Sequence, residues 1–324
     1  MKLKDRYGRH IKDLRISVTP RCNHACLYCR PPGYDPGDPP GLVSVADVRH
    51  LVAAGVLLGL ESVRFTGGEP LVRKELPEMI AAAREVGAAD VALTTNGSLL
   101  ERRLPELLAA GLGRVNISLD ALDPEVFRRV TRGGEFRDTW AGVEAALAAG
   151  LHPVKLNAVV IRGENDGEVV PLARLTLELP LHVRFIEFMH LNNAPFDEYR
   201  ARFVPGAETR ARVEEALGEL RPVATDGSAP ARVFRLPGAR GTVGFINPVS
   251  EPFCASCSRL RLTSDKKLRP CLLTELELDI SGAFSAPDPV EALVEALMLG
   301  AERKPPRGDT LPTFRQRVML GIGG

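Results

Sequence analysis

Three cysteines within one short segment, Cys22, Cys26 and Cys29, constrain this chain more than any other feature of its sequence. Four thiolates, or a mixture of cysteine and histidine, would complete a tetrahedral zinc site or fully ligate an iron–sulfur cluster. Three thiolates can instead hold three irons of a 4Fe–4S cluster and leave the fourth iron open to a small molecule. The spacing therefore favours an iron–sulfur cluster with one open iron.

Zinc is the alternative metal for this group, which we call the first trio. His24 is the nearest candidate for a fourth ligand, but it lies between two of the cysteines, where reaching the same metal would be strained. Zinc-binding sequences usually carry their ligands as two separated pairs, whereas the first trio is one compact group. The spacing alone leaves zinc open as the less favoured metal.

A second trio consists of Cys254, Cys257 and Cys271. Structural zinc is again the alternative, but no histidine follows His190 to supply a fourth ligand. A second 4Fe–4S cluster, whose open iron binds the substrate directly, agrees better with three thiolates.

Residues 258–263, between the second and third cysteines of the second trio, alternate like a strand and place Arg259 and Arg261 on one face. Two guanidinium groups beside an open iron suit a planar substrate that carries hydrogen-bond acceptors on its edge. A solvated strand face is the alternative explanation for alternating arginines.

The composition indicates an ordinary globular protein. The chain has 324 residues, 44% of them apolar and 26% charged, with a formal net charge of +1. Such a charge gives no overall attraction to nucleic acid or to an anionic membrane, and we expect neither as a partner. The sequence shows no apolar targeting segment, so we expect a cytoplasmic protein. In that reducing compartment the six cysteines indicate metal ligands, with disulfides as the alternative.

Strand-like and helix-like segments alternate over the first 190 residues. The predicted strands cover residues 13–18, 62–66, 91–95, 114–119, 154–160 and 183–188. The predicted helices cover residues 45–58, 75–86, 99–110, 124–130, 138–149 and 168–178. This pattern predicts an α/β fold, a partial, open parallel β/α barrel of about six βα units.

The regular alternation of strand-like and helix-like segments ends after residue 190. Residues 192–206 are expected to form a loop, 209–220 a helix, and 233–236 and 242–246 two strands. We therefore predict two domains. Residues 1–190 form the barrel, and residues 191–324 form a C-terminal extension that carries the second cluster and the substrate-binding strand and closes the barrel.

Three cations, Arg15, Arg64 and Lys155, lie on three different predicted strands and can converge inside one barrel. Because a buried cation without a partner is costly, three of them together would require an anion, and a triphosphate supplies one. The alternative is that each cation pairs with a nearby carboxylate, for which Glu69 and Asp120 are available.

The ordered motifs resemble those of the radical S-adenosylmethionine (SAM) superfamily and, within it, the GTP 3′,8-cyclases, the molybdenum-cofactor biosynthesis protein A family. The resemblance runs from about Tyr7 to Gly324. It rests on the two trios and on Asp-Leu-Arg-Ile-Ser-Val-Thr, Thr-Gly-Gly-Glu-Pro, Thr-Thr-Asn-Gly, Val-Asn-Ile-Ser-Leu-Asp, Phe-Cys-x2-Cys-x-Arg-x-Arg-Leu-Thr and the terminal Gly-Gly.

The resemblance implies two 4Fe–4S clusters and SAM as cofactors. SAM at the first cluster would be cleaved to a 5′-deoxyadenosyl radical, which takes the C3′ hydrogen of GTP, and the product would be 3′,8-cyclo-7,8-dihydro-GTP. This is the first step of molybdenum cofactor biosynthesis. The implied partners are cyclic pyranopterin monophosphate synthase downstream, a one-electron donor such as a flavodoxin-type protein, and a second copy of the chain in a homodimer.

The resemblance also implies roles for individual residues. The SAM contacts would be Tyr28, Gly68, Ser118 and Met189. The GTP contacts would be Arg15, Arg64, Thr95, Lys155, Arg259, Leu260 and Arg261. Further members of the site would be Glu69, Asn157, Arg184, Gly323 and Gly324, the last two as a tail that enters the active site.

Three positions depart from the family's usual residues, namely Pro20, Arg30 and Ser258, and none of them is a cluster ligand. Two other interpretations stay open at this point. One is a different radical SAM enzyme with an auxiliary cluster, such as a peptide-modifying maturase, although those usually carry more cysteines in the C-terminal part. The other is a non-catalytic metal-binding module.

Overall fold

The computed structural model describes residues 2–35, 37, 40–225, 227, 229–308 and 316–323. Its centre is a run of six parallel strands joined by helices, as the alternation predicted, and the fold class is confirmed. These strands are β1 (Asp13–Ser17), β2 (Ser62–Thr66), β3 (Asp90–Thr95), β4 (Arg114–Ser118), β5 (Val154–Val160) and β6 (Leu181–Glu187).

The helices that follow these strands agree with the predicted ones to within about two residues. They are α1 (Val45–Leu57), α2 (Leu76–Glu85), α3 (Leu100–Ala109), α4 (Pro124–Thr131), α5 (Phe136–Ala148) and α6 (Val169–Glu178). The start of α1 shows why the boundaries are readable. Ser44 accepts a hydrogen bond from the Asp47 amide while the Asp47 carboxylate accepts one from the Ser44 amide, which is a capping box.

The last third of the chain adds more structure than the sequence predicted. It contains α7 (Phe196–Arg202), α8 (Gly206–Leu217), β7 (Arg221–Pro222), β8 (Arg232–Arg235), β9 (Thr242–Ile246), β10 (Arg259–Leu262), β11 (Lys267–Arg269), β12 (Leu278–Asp279), α9 (Pro289–Glu302) and α10 (Met319–Ile322).

The expected loop over residues 192–206 was wrong, because it contains α7. This short helix is held by Tyr199, which is buried against Phe188, a tertiary contact with no local sequence signal. The next helix, α8, also begins and ends three residues earlier than the predicted span of 209–220.

All twelve strands form one sheet in the order β12-β11-β10-β1-β2-β3-β4-β5-β6-β9-β8-β7. β10 pairs parallel to β1, and β9 pairs parallel to β6, so strands from beyond residue 190 extend both edges of the six-stranded centre. The strand order ends at β12 and β7 and does not close on itself. The division into two domains at residue 190 stays a prediction.

The sheet has one apolar and one polar face. Leu14 and Ile16 of β1 and Phe65 of β2 are fully buried in the core beneath the helices. The alternate residues point the other way, and the register places Arg15 beside both Arg261 and Arg64. We call this polar side the inner face. In the described ranges, no helix combines the length and the apolar character needed to span a membrane.

Candidate active site

The first trio lies in the loop that follows β1, at the carboxyl end of the parallel strands. The backbone of the Gly-Gly-Glu segment holds this loop, since the Gly68 amide donates to the Thr19 carbonyl and the Glu69 amide to the Arg21 carbonyl, both at 2.7 Å. A Cβ atom on Gly68 would lie 2.2 Å from the Arg21 carbonyl oxygen. Glycine is therefore required at this position by close backbone approach.

Side chains from neighbouring elements complete the support of the first trio. The Asn96 amide, after β3, donates to Asn23 Oδ1 at 2.8 Å and to Cys22 Sγ at 3.9 Å. His24 is buried edge-on against Phe127, with their ring centroids 6.2 Å apart. The loop between β1 and α1 is thus fastened to β3 and α4.

The chemistry of the cysteines agrees with metal binding rather than with disulfides. All six are free thiols, so the disulfide alternative is wrong. Within the ranges described above, no three cysteine, histidine or acidic side chains surround one point closely enough to ligate a single metal ion.

Burial raises the pKa of the first-trio thiols strongly. The pKa of Cys22 is about 11 and that of Cys29 about 12. The pKa of Cys26 is also raised, by burial first and then by the negative charge of Asp120. Metal binding at the first trio must therefore displace protons from the thiols, as metal–thiolate bonds generally do.

The residues expected to contact SAM are found around the first trio. The Tyr28 hydroxyl donates to Asp120 Oδ2 at 2.9 Å, and Asp120 Oδ1 accepts from the Val159 amide at 2.9 Å. Burial raises the pKa of Asp120 to about 6. Ser118 is the last residue of β4, and Met189 follows β6, so both lie at the carboxyl ends of strands, where α/β barrels place their chemistry.

Glu69 is engaged by the protein itself. Its carboxylate accepts hydrogen bonds from the Thr95 hydroxyl at 2.7 Å and from the amides of Leu71 and Asn96 at 2.9 and 2.7 Å. Burial nevertheless raises the pKa of Glu69 to about 7. The Thr95 hydroxyl thus points to Glu69. The preceding residue, Thr94, lies on the inner face, where the register pairs it with Asn116.

The second trio lies at the opposite end of the same strands. Cys254 and Cys257 precede β10, which runs parallel to β1, and Cys271 follows β11, which runs antiparallel. Because β1 has five residues, roughly 15 Å separate the two ends.

The inner face between the two trios carries an excess of positive charge. In the described part of the chain, six cations on this face form no ion pair with a carboxylate, and we call them the unpaired cations. They are Arg15, Arg64, Lys155, Arg184, Arg259 and Arg261. The alternative, in which these cations pair with Glu69 or Asp120, is wrong, because hydrogen bonds within the protein hold both carboxylates.

The cations on the inner face repel one another. Burial, and then the charges of Arg261, Arg64 and Arg259, lower the pKa of Arg15. Burial, followed by Arg184 and other arginines, lowers the pKa of Lys155 to about 7. These shifts involve cations on β1, β2, β5, β6 and β10, so positive charges from five strands act on one another across the inner face.

Several polar atoms on the inner face are buried without a hydrogen-bond partner among the described residues. They are Arg64 Nε, Arg184 Nε, Arg259 Nη2 and Asn157 Oδ1. Buried donors without acceptors are rare in folded proteins. This set therefore indicates a binding site for an anionic ligand with several acceptor atoms.

Leu260 stands apart from its two arginine neighbours. Its side chain is fully buried on the apolar face, so only its backbone can approach a ligand on the inner face. Sequence reasoning missed Arg114 and Asn116, although the alternation in β4 places both beside Ser118 on the inner face. Arg114 Nε donates to Asp90 Oδ1 at 2.7 Å, and Asn116 Oδ1 accepts from Arg184 at 2.8 Å.

The C-terminal tail reaches the inner face. Gly323 has a φ of +88°, and a Cβ atom there would lie 2.9 Å from Ser17 Cβ and 3.0 Å from Thr66 Cγ2. Its carbonyl accepts a hydrogen bond from Arg261 Nη1 at 2.8 Å. Only glycine suits this conformation and this space. Gly324 lies outside the described residues.

Family models divide the chain into two matched parts. The model described as Radical SAM superfamily matches residues 16–176, and the one described as Molybdenum Cofactor Synthesis C matches residues 181–310. A GTP 3′,8-cyclase of Pelotomaculum thermopropionicum is 44% identical over 326 residues, which cover 99% of this chain and 100% of that protein. The chain belongs to the GTP 3′,8-cyclase family. A second member, from Heliobacterium modesticaldum, is 45% identical across 99% of both proteins.

The fold of this GTP 3′,8-cyclase family member is shared by more distant enzymes. Streptococcus suis SuiB bound to S-adenosylmethionine superimposes with a TM-score of 0.63 at 15% identity, covering 90% of this chain and 69% of SuiB. Membership of the radical SAM superfamily makes SAM and 4Fe–4S clusters the cofactors, and each trio offers the three thiols that such a cluster with an open iron requires. Full-length identity to the cyclases does not favour the maturase or the metal-binding module.

Proposed function

We propose that this protein converts GTP into 3′,8-cyclo-7,8-dihydro-GTP, the first step of molybdenum cofactor biosynthesis. The observation that carries the proposal is the set of unpaired cations and unsatisfied donors on the inner face, between two trios of free thiols. A nucleoside triphosphate matches this site in charge and in acceptor content.

Cys22, Cys26 and Cys29 would hold the cluster that binds SAM, which when bound would supply the radical chemistry needed at C3′ of GTP. Tyr28, Gly68, Ser118 and Met189 orient SAM at the carboxyl ends of β2, β4 and β6. Asp120 limits the motion of Tyr28 through the hydrogen bond to its hydroxyl.

Positively charged residues on β1, β2, β5 and β6 bind the triphosphate. They are Arg15, Arg64, Lys155 and Arg184, with Asn157 as a neutral neighbour. Arg259 and Arg261 lie on β10, next to the second trio, where they donate to the acceptors on the guanine edge. Cys254, Cys257 and Cys271 would hold the second cluster, which would offer an open coordination site to the guanine ring, and Gly323 reaches this site through its contact with Arg261.

The partners that the family resemblance implies are part of the proposal. A cyclic pyranopterin monophosphate synthase takes the product, a one-electron donor of the flavodoxin type reduces the enzyme, and the enzyme is a homodimer. Its six free thiols suit a reducing cytoplasm. Residues 1–190 form the barrel that binds SAM and the triphosphate, and residues 191–324 form the extension that carries the second cluster and the substrate-binding strand.

An anaerobic assay of the reconstituted protein with SAM, a reductant and GTP deuterated at C3′ tests the proposal. We expect deuterium in the 5′-deoxyadenosine and formation of the cyclised nucleotide. Cleavage of SAM without transfer of the label would show that the protein is a radical SAM enzyme whose hydrogen donor is not C3′ of GTP. Absence of cleavage in an iron-loaded preparation would overturn the proposed reaction.

A further inference from the structure

One buried lysine connects the two chain segments that carry Cys257 and Cys271, which we call the two arms of the second trio. Lys304, at the end of α9, is only 2% exposed, and its Nζ donates to the Arg259 carbonyl at 2.8 Å and to the Pro270 carbonyl at 2.7 Å. Arg259 lies two residues after Cys257, and Pro270 immediately precedes Cys271. A single ammonium group therefore fixes the separation of these two cysteine arms.

The charge of Lys304 has no carboxylate to balance it in the ranges that the structure describes. A buried ammonium is costly unless an anion or several acceptors surround it. Burial lowers the pKa of Lys304, and the anions that raise it are the thiolates of Cys257 and Cys271. Those two thiolates are therefore the negative charges that offset the charge of Lys304.

Arg9 supports the remaining cysteine in a different way. Its Nη1 donates to the Cys254 carbonyl at 2.7 Å, and its Nη2 to the Pro305 carbonyl at 2.6 Å. Its charge is balanced by Asp5, whose Oδ2 accepts from Arg9 Nε at 2.5 Å. Arg9 therefore holds the backbone at Cys254 without adding net charge, because Asp5 balances it. Lys304 holds the backbone and also adds a positive charge.

The segment after Lys304 comes close to Cys271 at Gly308. A Cβ atom on Gly308 would lie 3.1 Å from Cys271 Sγ and 2.8 Å from Leu273 Cβ. Gly308 thus packs against Cys271, and the segment that ends at Gly308 begins at Lys304, which is bonded to the residue before Cys271.

We propose that Lys304 is a positioning residue of the second cluster, which holds the Cys257 and Cys271 arms at their working separation and offsets the negative charge of their thiolates. This role rests on the proposed function in one respect, that a cluster occupies the second trio. A fixed positive charge and N–H donors beside cluster thiolates stabilise the reduced form and raise the reduction potential.

The test uses the full-length chain with Cys22, Cys26 and Cys29 replaced by alanine, so that all cluster iron belongs to the second trio. We expect this parent to hold about four irons after anaerobic reconstitution. Adding Lys304→Met removes charge and donors together, and we expect several-fold faster loss of iron to a chelator and a lower reduction potential. Adding Lys304→Gln keeps a donor without charge, and we expect near-parental iron retention with the lower potential.

Lys267→Met is the matched control, because Lys267 lies on β11 but is paired with Asp279 at the surface. It removes the same charge, and we expect parental iron retention and potential. Equal retention and equal potential of the parent and both Lys304 variants, with circular dichroism showing intact folds, would overturn the role of Lys304 alone. A folded parent that binds no iron would overturn the second cluster itself. If Lys304→Met does not fold, the potential of Lys304→Gln decides the question of charge.

Discussion

The two trios have the same number of thiols and opposite electrostatic surroundings. Burial raises the pKa of Cys22 to about 11, and the negative charge of Glu69 adds to the effect. Burial also acts on Cys257, but the charges of Arg259 and Lys304, with hydrogen bonds from both, lower its pKa to about 6. The only cation that lowers the pKa of Cys22 and Cys29 among the described residues is Arg30, and burial outweighs it, so the first trio suits a cationic ligand such as the SAM sulfonium. At Cys257 the protein's own cations outweigh burial.

The comparison teaches that a shared count of cysteines does not mean a shared task. A site whose cations do not outweigh burial gains its charge balance when a positively charged ligand binds. A site already balanced by arginine and lysine is left able to accept a neutral or anionic ligand on its other side. We therefore expect the two trios to separate SAM chemistry from substrate binding.

Loss of one cysteine from each trio should separate these tasks most strongly. We expect Cys29→Ala to abolish SAM cleavage, because the first cluster loses a ligand. We expect Cys271→Ala to abolish GTP cyclisation while SAM cleavage persists. Both activities are measured as 5′-deoxyadenosine and cyclised nucleotide in anaerobic assays, and full SAM cleavage by Cys29→Ala would contradict the assignment of the first trio.

The thiols of the metal-free chain should differ in reactivity. At neutral pH Cys257 is mostly thiolate and Cys22 mostly thiol, so we expect iodoacetamide to modify Cys257 roughly 10²-fold faster, after allowing for the lower nucleophilicity of low-pKa thiolates. The Cys257 rate should fall as the pH drops through 6. Peptide mass spectrometry of timed samples measures both rates, and equal rates would remove the contrast on which the comparison rests.

Truncation of an inner-face arginine should affect GTP and spare SAM. Arg261→Ala removes charge-assisted hydrogen bonds, each worth about 1.5–3 kcal/mol, so we expect GTP affinity to fall by roughly 10- to 100-fold. Arg240→Ala, on an exposed loop, is the control. Equilibrium binding of GTP and SAM cleavage are measured side by side, and equal loss of both would place Arg261 outside the substrate site.

GTP binding should take up a proton above neutral pH. Lys155, whose pKa is about 7 in the free protein, is mostly neutral at pH 8, and a bound triphosphate raises that pKa. Affinity should therefore fall by up to about tenfold per pH unit above 7. Calorimetry in buffers of different ionisation enthalpy measures the uptake, which Lys155→Met should abolish. Persistent uptake in that variant would assign the proton to another group.

The smallest expected effect concerns the tail that enters between the trios. Arg317 pairs with Asp265 through two hydrogen bonds of 2.9 and 3.1 Å. Because the pair is partly exposed, we expect Asp265→Asn to weaken cyclisation by no more than about fivefold. Because Arg317 also pairs with Glu277 at 2.9 Å, Arg317→Met, which removes both ion pairs, should weaken cyclisation more than Asp265→Asn in steady-state assays. No loss in either variant would show that other contacts hold the tail.

The parallel part of the fold was readable because its signals are local. Period-two strands, capping residues such as Ser44 and the alternation of strand with helix predicted all six central strands. The later part was read less well. α7 depends on burial of Tyr199, and β10 joins β1 across more than 240 residues of chain, so neither position has a local signature.

The candidate site divides in the same way. Cysteine spacing by itself identified both trios, because metal ligands must be close in space and here are close in the chain. Strand alternation likewise placed Arg259 and Arg261 on one face, whereas the register that sets Arg15 beside Arg64 and Arg261 came from the structure. The partner of Thr95 was decided by tertiary structure, since Glu69 comes from a different strand end.

The sequence alone determined the chemistry of this protein, namely two sets of three thiolates, a surplus of cations on alternating strands and a glycine tail. Only the tertiary structure decided how these parts are arranged, with the trios at opposite ends of β1 and β10 and Lys304 and Arg9 brought against the second trio from distant segments. The physical reason is that ligand type depends on residue identity, whereas charge balance depends on which buried groups lie within a few ångströms of one another, and folding sets those distances.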